Sequence, residues 1–321
     1  MYNWIIPNSW NEVPTEDLEF IARLTMEREL IALQDERLGE VYYKLLILLR
    51  LSGLEGLEKS WKGMKQQYTF HTRSFLPWRR EKVTVDASQL MYLMREHLRW
   101  VDDPYNRLRS PYPTLKIKRR NFCGPSDRMT SLTYMQYQTA QNIITAYWRH
   151  QDTLRYLMER KESSLEAVMN QVRTLDELKG QFLATLFCPA TPTREYKGEK
   201  KVRTMLPNDF DPRQVNQFAP LFKGKAGDRI FPVMLQFFLS VQKYYSTLYP
   251  DLFVKRKDDG EKNTKRPDFL MLEVETMAAV MKYQGFRDYQ TIYDSEAVHI
   301  LKVLDNMAKE AKELKRIHNK K

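Results

Sequence analysis

The chain is poor in the residues that many enzyme classes use heavily. Its two cysteines, Cys123 and Cys188, are far apart in sequence and in no C-x-x-C pair. That excludes a zinc framework and a disulfide-stapled secreted scaffold. Glycine numbers only 11 in 321 residues, against roughly 7% in an average protein. A Rossmann-like or barrel enzyme spends more glycine on tight turns and close ligand approach. The longest apolar run, Leu45–Leu49, is bounded by Lys44 and Arg50, well short of the ~20 residues of a membrane span. The opening Met1–Pro7 does not read as a signal peptide, so the expected setting is cytoplasmic and reducing.

Complete catalytic signatures are missing too. None of the five histidines, His71, His97, His150, His299 and His318, sits in H-E-x-x-H or H-x-H spacing. The stretch Lys223–Gly227 lacks full phosphate-loop spacing and a preceding strand. Asp102–Asp103 and Asp258–Asp259 fall in Pro-rich or charged loops, where solvated or capping acids are the usual occupants. No catalytic, cofactor-binding or metal-ligating residue is assigned, and no cofactor is expected.

What the chain does have is charge and apolar periodicity. Net charge is +11 and the pI about 9.4. Such a balance suits nucleic acid, an anionic membrane or an acidic protein partner. Residues 11–40 are acidic while the C-terminal tail is basic, a polarity that would suit head-to-tail self-association. Many Leu, Met, Glu, Lys and Gln favour helices. The spacing predicts helices over 15–52, 87–100, 131–160, 173–188, 226–249, 268–284 and 294–316. Thr15 reads as an N-cap, and Thr133 with Gln136 as a capping box. The β-branched and aromatic residues of Tyr68–Thr72 and Val83–Val85 permit one small hairpin, and Leu115–Lys118 one short strand. Residues 189–212 read as a polar loop and 254–267 as a charged, mobile segment.

The fold expected is therefore mainly α, a multi-helix protein with at most a small β-hairpin. Three regions are expected: 1–100, helical with a possible β element; 101–128, a basic Pro-rich connector; and 129–321, a helical domain.

Two surfaces stand out. Arg107, Arg109, Lys116, Lys118, Arg119 and Arg120 form a basic run with no acidic neighbour, interleaved with Tyr105, Tyr112 and Phe122. Cations beside aromatic platforms are what single-strand binding requires. A second basic patch, Arg194, Lys197, Lys200, Lys201 and Arg203, is diluted by Glu195 and Glu199. Tyr134, Tyr137, Tyr147 and Trp148 stripe the central helix. Such stripes are usually core, but any exposed part would serve as a protein interface.

The run Gly124–Tyr137 is followed by Tyr147, then by Leu183-Ala184-Thr185-Leu186-Phe187-Cys188-Pro189, a basic loop and an apolar helix with Phe237-Phe238. This order, over roughly residues 120–250, resembles a helical protein found among the tail and assembly proteins of phages and prophages of Bacteroidetes. Met281–Leu304, with Gly285 and Asp294-Ser295-Glu296-Ala297, is similar to the helical ends of small tail-assembly proteins. The shared residues are caps and core positions, so the resemblance carries over no catalytic residue. It implies a virion-assembly role, as a tail-assembly chaperone or minor structural component. The partners would be other virion or tail-assembly proteins, and the place the host cytoplasm or the virion, with no membrane. The leading expectation is thus a non-enzymatic phage or prophage assembly protein acting by helix-mediated contacts. One alternative is a nucleic-acid-binding protein using residues 105–122. The other is an enzyme whose site is scattered along the sequence.

Overall fold

In the computed structural model, residues 4, 6–32, 36–62, 65–74, 79–160, 164–197, 200–253 and 269–318 are described. Asp258–Asp259 and the whole of the charged segment 254–267 therefore lie outside the described residues. The chain divides into two compact units. One comprises residues 1–111 with 232–240, the other 112–231 with 241–321. The boundary falls inside the stretch expected as a connector.

The first unit begins with α1 (Thr15–Ala32) and α2 (Glu36–Leu51), two helices where periodicity predicts one. The carbonyl of Pro14 accepts the first helical N–H groups, from Asp17 and Leu18. Thr15 donates its hydroxyl to the carbonyl of Pro111 instead of capping. The helices meet through Leu18, Ile21, Tyr43, Ile47 and Leu48, all buried. Thr25 and Tyr43 share a hydrogen bond of 2.7 Å, and Arg50 donates to Asp17 at 2.7 Å.

An antiparallel sheet follows, β1 (Leu54–Lys62), β2 (Lys65–Thr72) and β3 (Lys82–Asp86), paired in that order. The register of β1 on β2 slips between Glu55 and Glu58. Gly56 sits in that slip at φ 75°, a bulge conformation that glycine adopts without a Cβ penalty. Phe70 on β2 is fully buried, and Val83 and Val85 on β3 are buried too. A short helix, α3 (Ala87–Tyr92), leads on to the segment ending at Pro111.

The second unit is built on a four-stranded antiparallel sheet, β4 (Thr114–Ile117), β5 (Arg120–Cys123), β6 (Cys188–Lys197) and β7 (Lys200–Pro207), in sequence order. Between β5 and β6 the chain makes a helical hairpin of α4 (Tyr134–Glu159) and α5 (Leu165–Leu186). After β7 come α6 (Pro212–Phe218), α7 (Lys225–Leu248), α8 (Phe269–Gln284), α9 (Tyr289–Asp294) and α10 (Ala297–His318). The middle of α7, residues 232–240, belongs with the first unit. The core of the second unit is aromatic. Phe122 stands edge-on to Phe222 at 5.2 Å, Phe187 stacks on Phe222 at 5.8 Å, and Phe182 meets Phe231 at 5.7 Å.

Two antiparallel sheets overturn the expectation of a mainly α fold with at most a small hairpin; the architecture is mixed α and β. Composition hid the extra strands. β1 reads Leu-Glu-Gly-Leu-Glu-Lys-Ser-Trp-Lys, and Glu, Lys and Gly are depleted in strands. Pro189 and Pro192 interrupt β6, which argues against a central strand. The strand survives because β5 pairs with it only at Cys188 and Pro189. At Pro192 it has one neighbour, β7, so a missing N–H there is tolerated.

Candidate functional site

The second unit contains a cavity of about 560 Å³ at the base of its sheet, where β5 ends and β6 begins. That volume falls within the range of small-molecule pockets. Its wall is set by a chain of local constraints. Gly124 follows β5 and donates its N–H to the carbonyl of Pro113 at 3.0 Å. A Cβ there would lie 2.1 Å from the carbonyl oxygen of Tyr112 and 2.8 Å from the ring of Phe187, so only glycine fits.

Thr133 then caps α4 in a complete capping box. The N–H of Gln136 donates to the Thr133 hydroxyl at 3.2 Å, and the N–H of Thr133 donates to Gln136 Oε1 at 3.1 Å. Gln136 is buried, and its amide nitrogen reaches across to the carbonyl of Thr185 at 3.2 Å and the sulfur of Cys188 at 3.1 Å. One side chain thereby ties the start of α4 to the end of α5.

The two cysteines, distant in sequence, are register partners across β5 and β6, and both line the cavity. Both are free. Burial pushes the Cys188 thiol up to about 11. The hydrogen bond from Gln136 opposes that rise, while nearby Cys123 and Asp209 add to it. Burial also raises Cys123. A thiol held protonated at neutral pH is a poor nucleophile.

The remaining polar lining is largely engaged within the protein. Gln290 donates to Asp294 at 2.9 Å, and Asn208 accepts from Thr191 at 2.9 Å. Ser131 and Ser126 exchange backbone-to-hydroxyl bonds of 2.9 Å. The cavity has two carboxylates, Asp209 and Asp294, and neither a histidine nor a cation in its lining. Its two carboxylates and lack of a cation make it unfavourable to anions.

The sequence candidates are placed as follows. Tyr134, Tyr137 and Tyr147 are buried, and Trp148 is 37% exposed. Tyr134 packs with Met277, Val280, Ile292, Ile300 and Val303. Tyr137 meets Tyr245 at 6.0 Å, and Tyr147 meets Phe231 at 5.0 Å. Burial raises both the Tyr137 and the Tyr147 phenol to about 12. Three of the four expected interface residues are thus interior.

The basic run is divided. Arg107 and Arg109 fall in the first unit, and Lys116, Lys118, Arg119 and Arg120 in the second. Arg107 is only 4% exposed and donates to the carbonyls of Trp10 and Arg109. Arg109, Lys116, Lys118, Arg119 and Arg120 are exposed. Lys116 through Arg120 occupy a tight hairpin in which Ile117 pairs with Arg120, leaving Lys118 and Arg119 as the turn. Arg120 lies over the Phe218 ring at 5.5 Å.

Among the described residues, no group of three or more His, Cys, Asp or Glu is arranged to hold a metal. Lys44 engages Asp102, and the backbone N–H of Tyr105 engages Asp103. No helix among the described residues is long and apolar enough to cross a membrane.

One surface escaped sequence reading. Leu165, Met169 and Val172 lie at i, i+4 and i+7 on α5, and all are exposed, at 75%, 48% and 49%. This is the spacing of one helix face. Gln171 hydrogen-bonds both the ring and the carbonyl of His150, which sets the antiparallel level of α4 on α5. From that anchor, Tyr156 comes level with Leu165. Tyr156 and Met158 are 51% and 71% exposed. The outer half of the helical hairpin thus carries five exposed large apolar side chains. The signal was present as the first turns of α5, but residues 165–172 precede the helix start that periodicity predicts.

No protein-family model, curated protein or solved structure matches this chain.

Proposed function

We propose that this chain is a non-enzymatic assembly protein, of the kind phages and prophages use in building tails, which works by helix-mediated protein–protein contact. The observation that carries this reading is the exposed stripe of Leu165, Met169 and Val172 on one face of α5. Large apolar side chains exposed together mark interaction surfaces. Three anchors at i, i+4 and i+7 spacing span about 10 Å of helix. That is the footprint of one amphipathic helix of a partner laid across a helical hairpin. The occupant is accordingly an apolar helix of another tail component. The sequence likeness over residues 120–250 supplies the phage context.

The test is capture of partners by the tagged full chain from its native cells, with nuclease treatment, followed by mass spectrometry. Tail or virion components retained after nuclease by the parent, and lost by Leu165→Glu/Met169→Glu, are the expected result. Those substitutions are exposed, so the unfolding midpoint should stay close to the parent's. Equal capture of the same components by parent and variant would sink the proposal, as would a parent that captures none.

A further inference from the structure

The cavity at the base of the four-stranded sheet has two walls fixed by backbone hydrogen bonds, and each presents a carboxylate. On one wall the N–H of Asn208 donates to the carbonyl of Pro189 at 2.9 Å, and its side chain accepts from Thr191. That fixes the chain immediately before Asp209. On the other wall an antiparallel bridge joins Thr133 to Glu296. The N–H of Tyr134 donates to the carbonyl of Ser295 at 2.8 Å, and that of Ala297 to the carbonyl of Leu132 at 2.9 Å. These bonds hold the end of α9, and with it Asp294, against the start of α4. Asp209 and Asp294 both line the cavity and both are exposed, so they belong to its rim.

No Lys, Arg or His lines the cavity, although the chain carries a net charge of +11. Like charges around one cavity repel, and a cation received between them offsets that repulsion. The floor is chemically different. Leu132, Leu186, Gln136 and Cys188 are buried there. Cys188 is 8% exposed, its sulfur accepts from the Gln136 amide, and its S–H has no acceptor among the described residues. A thiol S–H is a weak hydrogen-bond donor, and this one borders the cavity. The site therefore combines negative charge at its rim with apolar surface and an unpaired donor at its floor.

We infer that the cavity binds an amphiphilic primary amine, with its ammonium group at Asp209 and Asp294, its apolar body on Leu132 and Leu186, and an oxygen acceptor facing the Cys188 S–H. A hydrophobic amino amide carries all three groups, and so does the free amino end of a peptide that begins with an apolar residue. A free amino acid adds a carboxylate, which the two aspartates repel. A divalent metal is the poorer match. Calcium and magnesium take about six or more oxygen ligands, and among the described residues no group of three or more His, Cys, Asp or Glu is arranged to hold a metal. The cavity shares no residue with the exposed stripe of α5, so either proposal stands if the other fails.

The experiment is calorimetric titration of the full chain with L-leucinamide at about pH 7, where an α-amino group of pKa about 7.7–8.0 is charged. A dissociation constant on the order of 1 mM is expected for a ligand of this size. N-acetyl-L-leucinamide lacks the charge and glycinamide lacks the apolar body; each should bind at least about tenfold more weakly. Asp209→Asn/Asp294→Asn should weaken leucinamide by roughly tenfold and leave the acetylated compound unchanged. Both positions are exposed, so the variant's unfolding midpoint should stay close to the parent's. Bound leucinamide should also slow alkylation of Cys123 and Cys188 by iodoacetamide, since both line the cavity. The tripeptide amide of Leu-Gly-Gly distinguishes the two sources, and either result supports the site: tighter binding than leucinamide marks a peptide end, weaker binding a free amine. No leucinamide binding at about 10 mM would overturn the inference. So would equal binding of the acetylated compound, binding unchanged in the double variant, or binding that leaves both cysteines unprotected.

Discussion

Arg107 illustrates how a residue read as a nucleic-acid contact becomes a structural strap. Its guanidinium donates to the carbonyl of Trp10 and, from Nε, to the carbonyl of Arg109 at 3.1 Å. Around it, Asn11 Oδ1 accepts the N–H groups of Leu108 and Arg109 at 3.0 Å each. Trp10 Nε1 donates to the carbonyl of Asp103 at 2.8 Å, and its ring stands edge-on to Trp100 at 4.9 Å. The segment around residue 10 is thereby laced to residues 100–110. Hydrogen bonds involving a charged group contribute about 1.5–3 kcal/mol each, and a buried carbonyl left unsatisfied costs about 1–3 kcal/mol. Water entering the vacated space recovers part of this, so Arg107→Ala should destabilise the first unit by about 2–4 kcal/mol. At roughly 4 °C per kcal/mol for a unit of this size, that is a midpoint lower by about 8–16 °C. Arg107→Lys keeps the charge but not the planar fork, and should recover less than half. Thermal unfolding followed by tryptophan fluorescence, with exposed Arg109→Ala as the control at within about 0.5 kcal/mol, measures this directly. An Arg107→Ala midpoint indistinguishable from that control would refute the strap.

Two further outcomes follow from the second unit. Tyr137 and Tyr147 have phenols raised to about 12, against about 10 when unfolded. Above pH 10 the unfolded state binds fewer protons, so stability is full below pH 10 and is lost as pH rises toward 12. The loss should approach about 1.4 kcal/mol per pH unit for each tyrosine. Tyrosine absorbance should therefore rise together with unfolding; independent ionisation of these residues in a folded protein near pH 10 would contradict their burial. The cysteines give the other outcome. Opposed residues of antiparallel strands have Cα atoms about 4.5–5.5 Å apart, within disulfide reach. Diamide should link Cys123 to Cys188 within one chain, and iodoacetamide at pH 8 should label Cys188 more slowly than Cys123. Peptide mapping that finds only intermolecular links, or faster labelling of Cys188, would show the register or the burial to be wrong.

Local chemistry made much of the second unit legible. The capping box of Thr133 and Gln136 is formed as the spacing predicts, because both partners lie within one helical turn and need nothing else. The apolar periodicity of α7 likewise located that helix to within a residue at each end. The aromatic stripe of α4 was expected to offer an interface, yet Tyr134, Tyr137 and Tyr147 are buried in the core. Strands were less legible because their stability comes from neighbours that the sequence does not name. β1 is rich in Glu and Lys, and β6 carries two prolines; each exists because another strand supplies its hydrogen bonds.

What the sequence alone determined is therefore the set of short-range features: charge, helix periodicity, caps and the positions of the basic stretches. The tertiary structure decided which of those features meet. It removed Arg107 from the surface by giving its guanidinium two carbonyls, and left the start of α5 exposed by placing no partner over it. It set Cys123 opposite Cys188. Helix signals repeat within a few residues and can be read one turn at a time. Strand register and burial join residues tens of positions apart, and no local pattern encodes which ones.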